Sequence, residues 1–225
     1  MGVIDEVMIQ QTKPEEIISI IGSQLSQPIA DLLDRLVSRP YRKPDPVTSS
    51  FHEGGYAASL ILLLAALVES MVARDRYLNP NAKGFEGKPV PEYMKHVYSS
   101  RIHARLSELF VLRDAIVHNH VWTLNYVWSK TGGRRLISAT RVTWSGKDRL
   151  KARLNAKSFR TKLLRAHVIP SSMDRTDVSK AFGVAISSLK LLSIHGMHPD
   201  IASHHVRFQG KNVPFSSLHA RLSIG

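Results

Sequence analysis

Residues Leu106 to His120 read LSELFVLRDAIVHNH, and this stretch decides the fold. Placed on a helix at ~100° per residue, Leu106, Leu109, Phe110, Ile116 and Val117 gather on one face, which predicts an amphipathic helix packed against a core. Arg113 falls in the middle of that face. A cation on a packing face must be paired, or must meet an anion that arrives later. Asp114 and His118 stand four apart and share a face, where a carboxylate can fix the tautomer of an imidazole. Arg113 and His118 are five apart, so they diverge by about 140° and sit ~7.5 Å apart along the axis. They converge on one anion only if a second copy of the helix packs against the first.

Upstream, the helix is expected to begin near Pro91 and Glu92 and to run unbroken to Asn119. Before it lies a loop over 79–90, with Asn79-Pro80-Asn81, Gly84, Gly87 and Pro89. An earlier helix spans about Glu53 to Tyr77; its centre, Leu60 to Leu67, is apolar on every side, as in a helix buried all round. The longest apolar run, Tyr56 to Val68, is thirteen residues, short of the ~20 that a membrane span needs. Ile17 to Leu36 repeat at helical spacing over 14–39, with a kink or a division into two shorter helices expected at Pro28, and Pro40, Pro44 and Pro46 mark a linker.

Downstream the period changes. Val121 to Trp128 is β-branched and aromatic, Thr131-Gly132-Gly133 is a turn, and Leu136 to Trp144 alternates, which predicts a β-hairpin at about 121–144. A last helix runs from about Asp174 to His195, and 198–225 is left unassigned. The division that follows is an N-terminal helical extension and linker (1–48), a helical domain carrying the hairpin (49–197) and a C-terminal segment (198–225).

The chain carries a formal charge of +13, and residues 1–40 hold three Lys/Arg against six Asp/Glu, so the remainder is strongly basic. Between 147 and 165, eight cations (Lys147, Arg149, Lys151, Arg153, Lys157, Arg160, Lys162 and Arg165) face one acid, Asp148. Such a body suits a polyanion, because phosphate contacts release counterions; an ordinary solvated basic face is the plainer reading. Trp122, Trp128 and Trp144 could stack on unpaired bases, but their alternate spacing fits packing within the hairpin better. The chain lacks cysteine, which excludes disulfides, thiolate metal sites and cysteine nucleophiles. His118 and His120 point apart on a helix, and His195, His198, His204 and His205 have only Asp200 near them, so no metal and no other cofactor is expected. The acidic residues Asp5 and Glu6 argue against a secretory leader, and a soluble, cytoplasmic protein with no membrane partner is expected.

Arg113-Asp114-Ala115-Ile116-Val117-His118 resembles the R-x4-H signature of the HEPN superfamily, in which a polar residue commonly follows the arginine. The resemblance covers about residues 50–195, with the hairpin as a departure. It implies a mainly α fold: a HEPN-type helical bundle, here with an inserted β-hairpin and an N-terminal helical extension. It further implies a metal-independent endoribonuclease that leaves a 2′,3′-cyclic phosphate, built as a homodimer through the motif helix. Arg113 would hold the scissile phosphate, His118 would act as general acid or base, and Asp114 would orient His118. Asn119, His120, Lys151 and Arg153 are the candidate substrate contacts. Family members serve as toxins or in phage defence, and an acidic antitoxin protein could cover the basic surface. The alternatives are a non-catalytic HEPN module that binds RNA, a nucleotide or a protein, and a purely structural helical interaction protein. In either, Arg113 could be an ion-pair partner of Glu69 and His118 a helix cap.

Overall fold

The computed structural model describes residues 21–45, 47, 52–99, 101–118, 122–130, 132–141, 152–155, 157–194 and 200–222. The fold is mainly helical, built around α2 (Glu53–Leu78). Leu60, Ile61, Leu64, Ala65, Leu67 and Val68 of α2 are all fully buried. The helix is long and apolar enough to cross a membrane by length and composition, but it is the core helix here, flanked by α1 (Ser26–Val37), α4 (His103–Val117) and α5 (Arg175–Ile194). It ends one residue past the expected Tyr77, and polar residues such as Asp75 continue it beyond the apolar run and are buried by pairing.

Pro28 does not kink α1. It sits in the first turn, after a short 3-10 turn over Gly22–Leu25, where proline costs no intrahelical hydrogen bond. Ile29, Ala30, Leu33 and Leu36 are fully buried in the same cluster as α2, so the described part of the N-terminal segment belongs to the main core. The C-terminal segment joins it too. A hairpin of β5 (His205–Phe208) and β6 (Lys211–Pro214) and a 3-10 helix (Phe215–Leu222) bury Val206, Phe208, Phe215, Leu218 and Leu222. Gln27 on α1 binds this hairpin as a neighbouring strand would, donating to the Arg207 carbonyl (2.9 Å) and accepting from the Arg207 N–H (2.8 Å).

The expected single helix from Pro91 to Asn119 is two helices, α3 (Val90–Tyr98) and α4. Ser99 closes α3 in the left-handed region, with φ 47°, and turns the chain. Fixing this corner, Asp75 at the end of α2 accepts 2.6 Å hydrogen bonds from both Tyr93 and Tyr98. No periodicity in the sequence marks that junction, since both halves carry helical spacing.

The hairpin is present as β1 (Trp122–Trp128) and β2 (Arg134–Arg141), antiparallel with a bulge at Asn125/Tyr126. As expected, Trp128 packs within the hairpin, edge-on to Tyr126 at 6.2 Å between ring centroids. Trp122 lies against the core, but Trp128 is 65% exposed, its ring covered by the Arg134 guanidinium at 5.2 Å. Trp144 lies outside the described residues. A second, two-residue ladder of β3 (Leu154–Asn155) and β4 (Arg160–Thr161) follows.

Two buried carboxylates lock the elements together. Glu53 at the start of α2 receives Nε and Nη2 of Arg175 (2.9 and 2.8 Å) and the Arg175 backbone N–H. The same guanidinium donates to the carbonyls of Leu36 and Arg39, the end of α1, where a cation meets the negative end of the helix dipole. Glu108 of α4, 1% exposed, accepts from the backbone N–H groups of Leu163 and Leu164. This fixes the turn after β4 on the bundle.

Candidate functional site

Arg113 leaves α4 toward Glu69 on α2. Its Nη1 meets Glu69 at 2.8 Å, while Nε and Nη2 fork onto Oδ1 of Asp114 at 3.0 and 2.8 Å. Leu106 and Leu109 of the predicted face are fully buried, joined by Leu112 and Ala115, and Arg113 rides at the margin of that face, its guanidinium 4.8 Å above the ring of Phe110. The side chain is 29% exposed, not sealed within the packing face. Partial burial by itself lowers the guanidinium pKa. The hydrogen bonds and charge of Asp114, then those of Glu69, outweigh it and leave the pKa raised. Arg113 is a fixed cation.

Asp114 was expected to orient His118. Its Oδ1 binds Arg113, because adjacent side chains at the helix surface let the guanidinium fold back onto the carboxylate. His118 is the C-cap of α4, and its backbone N–H reaches the carbonyl of Asp114 at 3.0 Å. The imidazole stands at the exposed end of the helix. Val117, placed on the packing face by its spacing, is 57% exposed there, since the helix runs past its supports before it ends. Asn119, His120 and Lys151 lie outside the described residues.

The structure brings Arg153 to Arg113. Both line one open groove of about 440 Å³, whose walls also include Glu69, Glu92 and Asp114. Arg153 is held by the α4 carbonyl of Ala104 at 3.4 Å. Two guanidiniums forty residues apart thus share a groove, opposed by three carboxylates. An anion entering it competes with Glu69 for Arg113, and a half-exposed pair gives way at small cost.

A second constellation was missed in the sequence. Asp174 caps α5, accepting from the N–H groups of Thr176 and Asp177, and Asp177 accepts in return from the Asp174 N–H at 3.2 Å. The fully buried Asp177 also holds His167, taking its Nδ1 at 2.8 Å and its backbone N–H at 3.2 Å. Tyr41 donates to Asp174 at 2.9 Å, and burial, then that bond and the negative charge around it, push its pKa up to about 12. Ligand-capable atoms of His167, Asp174 and Asp177 all lie within 4.8 Å of one another. The spacing Asp174-x-x-Asp177 was legible as a helix start. Nothing in the sequence joined His167 or Tyr41 to it.

His204 and His205 stand on the C-terminal hairpin and its approach, while His195 and His198 lie outside the described residues. No family model matches this chain, and neither a curated protein nor a solved structure matches it.

Proposed function

We propose that this chain is a cytoplasmic RNA-directed module of HEPN type, and that it cleaves RNA without a metal as a homodimer assembled through α4. The observation that carries the reading is the sharing of one groove by Arg113 and Arg153, with Arg113 on the helix that His118 caps at its C-terminus. In this reading Arg113 and Arg153 hold the phosphate, bidentate from planar guanidiniums. His118 moves the proton between the ribose 2′-hydroxyl and the leaving oxygen, giving a 2′,3′-cyclic phosphate. One helix holds Arg113 and His118 about 140° apart, so the second copy supplies the imidazole that faces a given arginine. Val117, apolar and exposed between them, gives that copy a surface to cover. Trp128 under Arg134 offers an exposed ring to an unpaired base.

A second reading is favoured by the pairing of Arg113 with both Glu69 and Asp114: a HEPN module that binds RNA, a nucleotide or a protein without cleaving. The separating experiment is incubation of purified protein with structured RNA in excess chelator, beside His118→Ala. Cyclic-phosphate ends from the unmodified protein alone support the nuclease. RNA binding without cleavage by either protein supports the second reading.

A further inference from the structure

Away from α4, a cleft of about 480 Å³ opens between the linker at Tyr41 to Pro44, β2 at Leu136, the β4 region and the start of α5. That volume suits a small ligand. Its cations are Lys43, Arg160 and Lys180, and Asp174 is the acid in its wall. Arg160 Nη1 and Lys180 Nζ both donate to the same carbonyl oxygen, that of Arg165, at 3.1 and 3.0 Å. The two cations are therefore held within about 6 Å of each other, a separation at which like charges repel. Lys180 has partial relief from Asp177 at 3.5 Å, whereas Arg160 faces the cleft with a neutral carbonyl as its partner. Arg165 itself adopts φ 56° and Phe159 φ 50°, two non-glycine residues in the left-handed region on one short segment. Such strain persists where surrounding structure enforces it, and it gathers at ligand sites.

His167 adds direction. Asp177 grips Nδ1, which leaves the Nε2 edge of the ring to line the cleft. The His167, Asp174 and Asp177 group is less suited to a metal ion. Every oxygen of the two carboxylates already accepts a hydrogen bond: from Tyr41, Thr176 and Asp177 on Asp174, and from His167, Asp174 and Lys180 on Asp177. A metal there would also sit beside Lys180. The carboxylates form the scaffold, and the cations and imidazole form the lining.

We propose that this cleft binds a phosphomonoester of mononucleotide size. The phosphate lies against Arg160 and Lys180 within reach of His167 Nε2, and the planar base lies toward Tyr41 and Phe159. The site is separate from the α4 groove and does not depend on RNA cleavage there. The test is calorimetric titration of the full chain with AMP, adenosine, inorganic phosphate and Zn²⁺. AMP is expected to bind saturably, adenosine about tenfold or more weaker, and inorganic phosphate to compete. Lys43→Ala, an exposed position, and Arg160→Ala should each weaken AMP by about fivefold or more at an unchanged melting temperature. Arg113→Ala should leave AMP binding as it was, so this site and the α4 groove succeed or fail separately. Absence of saturable AMP binding overturns the proposal. So does equal affinity for adenosine, AMP affinity indifferent to both lining substitutions, or Zn²⁺ binding abolished by Asp174→Asn.

Discussion

Arg113 uses three of its donors on two carboxylates, and this decides what substitutions there should do. The pair with Glu69 is 29% and 49% exposed, so solvent screens it. Arg113→Ala should change stability by no more than ~1 kcal/mol in chemical denaturation, while RNA binding and cleavage fall. A loss of several kcal/mol would instead mark Arg113 as part of the fold's support. Glu69 competes with any phosphate for the same guanidinium. Glu69→Gln should therefore tighten RNA binding severalfold in a filter or anisotropy assay at low salt, and weaker binding would count against phosphate contact by Arg113.

Among elements, the break between α3 and α4 is the sharpest local test. Ser99 holds φ 47°, where a side chain costs ~1–2 kcal/mol and glycine does not. Ser99→Gly should raise stability by up to ~1 kcal/mol in urea titration, and a destabilised protein would deny the left-handed cap. The junction of α1, α2 and α5 gives the opposite sign. Arg175 and Glu53 are 9% and 2% exposed, and Arg175 also caps the carbonyls of Leu36 and Arg39. Arg175→Ala strands a buried carboxylate and should cost ~3–5 kcal/mol. The double replacement Arg175→Met with Glu53→Leu should recover much of that loss.

For the whole molecule, buried and half-buried phenols set an alkaline limit. Burial, then the hydrogen bond to Asp75, raises the pKa of Tyr93 and of Tyr98 well above the usual 10.0, and Tyr41 is pushed up to about 12. The folded chain holds these protons more tightly than the unfolded one. Their contribution is complete below pH 10 and is lost as pH rises above it toward the folded values. Stability measured from pH 9 to pH 12 should therefore fall, and Tyr98→Phe should flatten the fall. Assembly belongs to the same scale. Sedimentation at micromolar concentration should give a dimer, and Val117→Glu, at an exposed position, should give a folded monomer. A monomer before substitution would remove the shared-site arrangement.

The sequence by itself determined the helical class, α2 almost to the residue, the start of α5 and the hairpin, because period, proline placement and capping chemistry are local signals. It also marked Arg113 as a cation needing a partner and named Glu69 as one that could serve. Tertiary structure alone decided that Asp114 Oδ1 turns to Arg113, that Ser99 divides one helical pattern into two, and that both ends of the described chain share the central core. It also brought Arg153 to the groove that Arg113 lines, and placed Tyr41 and His167 beside Asp174 and Asp177. Those meetings join residues far apart in the chain. They depend on which faces of several helices are buried together, and no spacing within one segment encodes that.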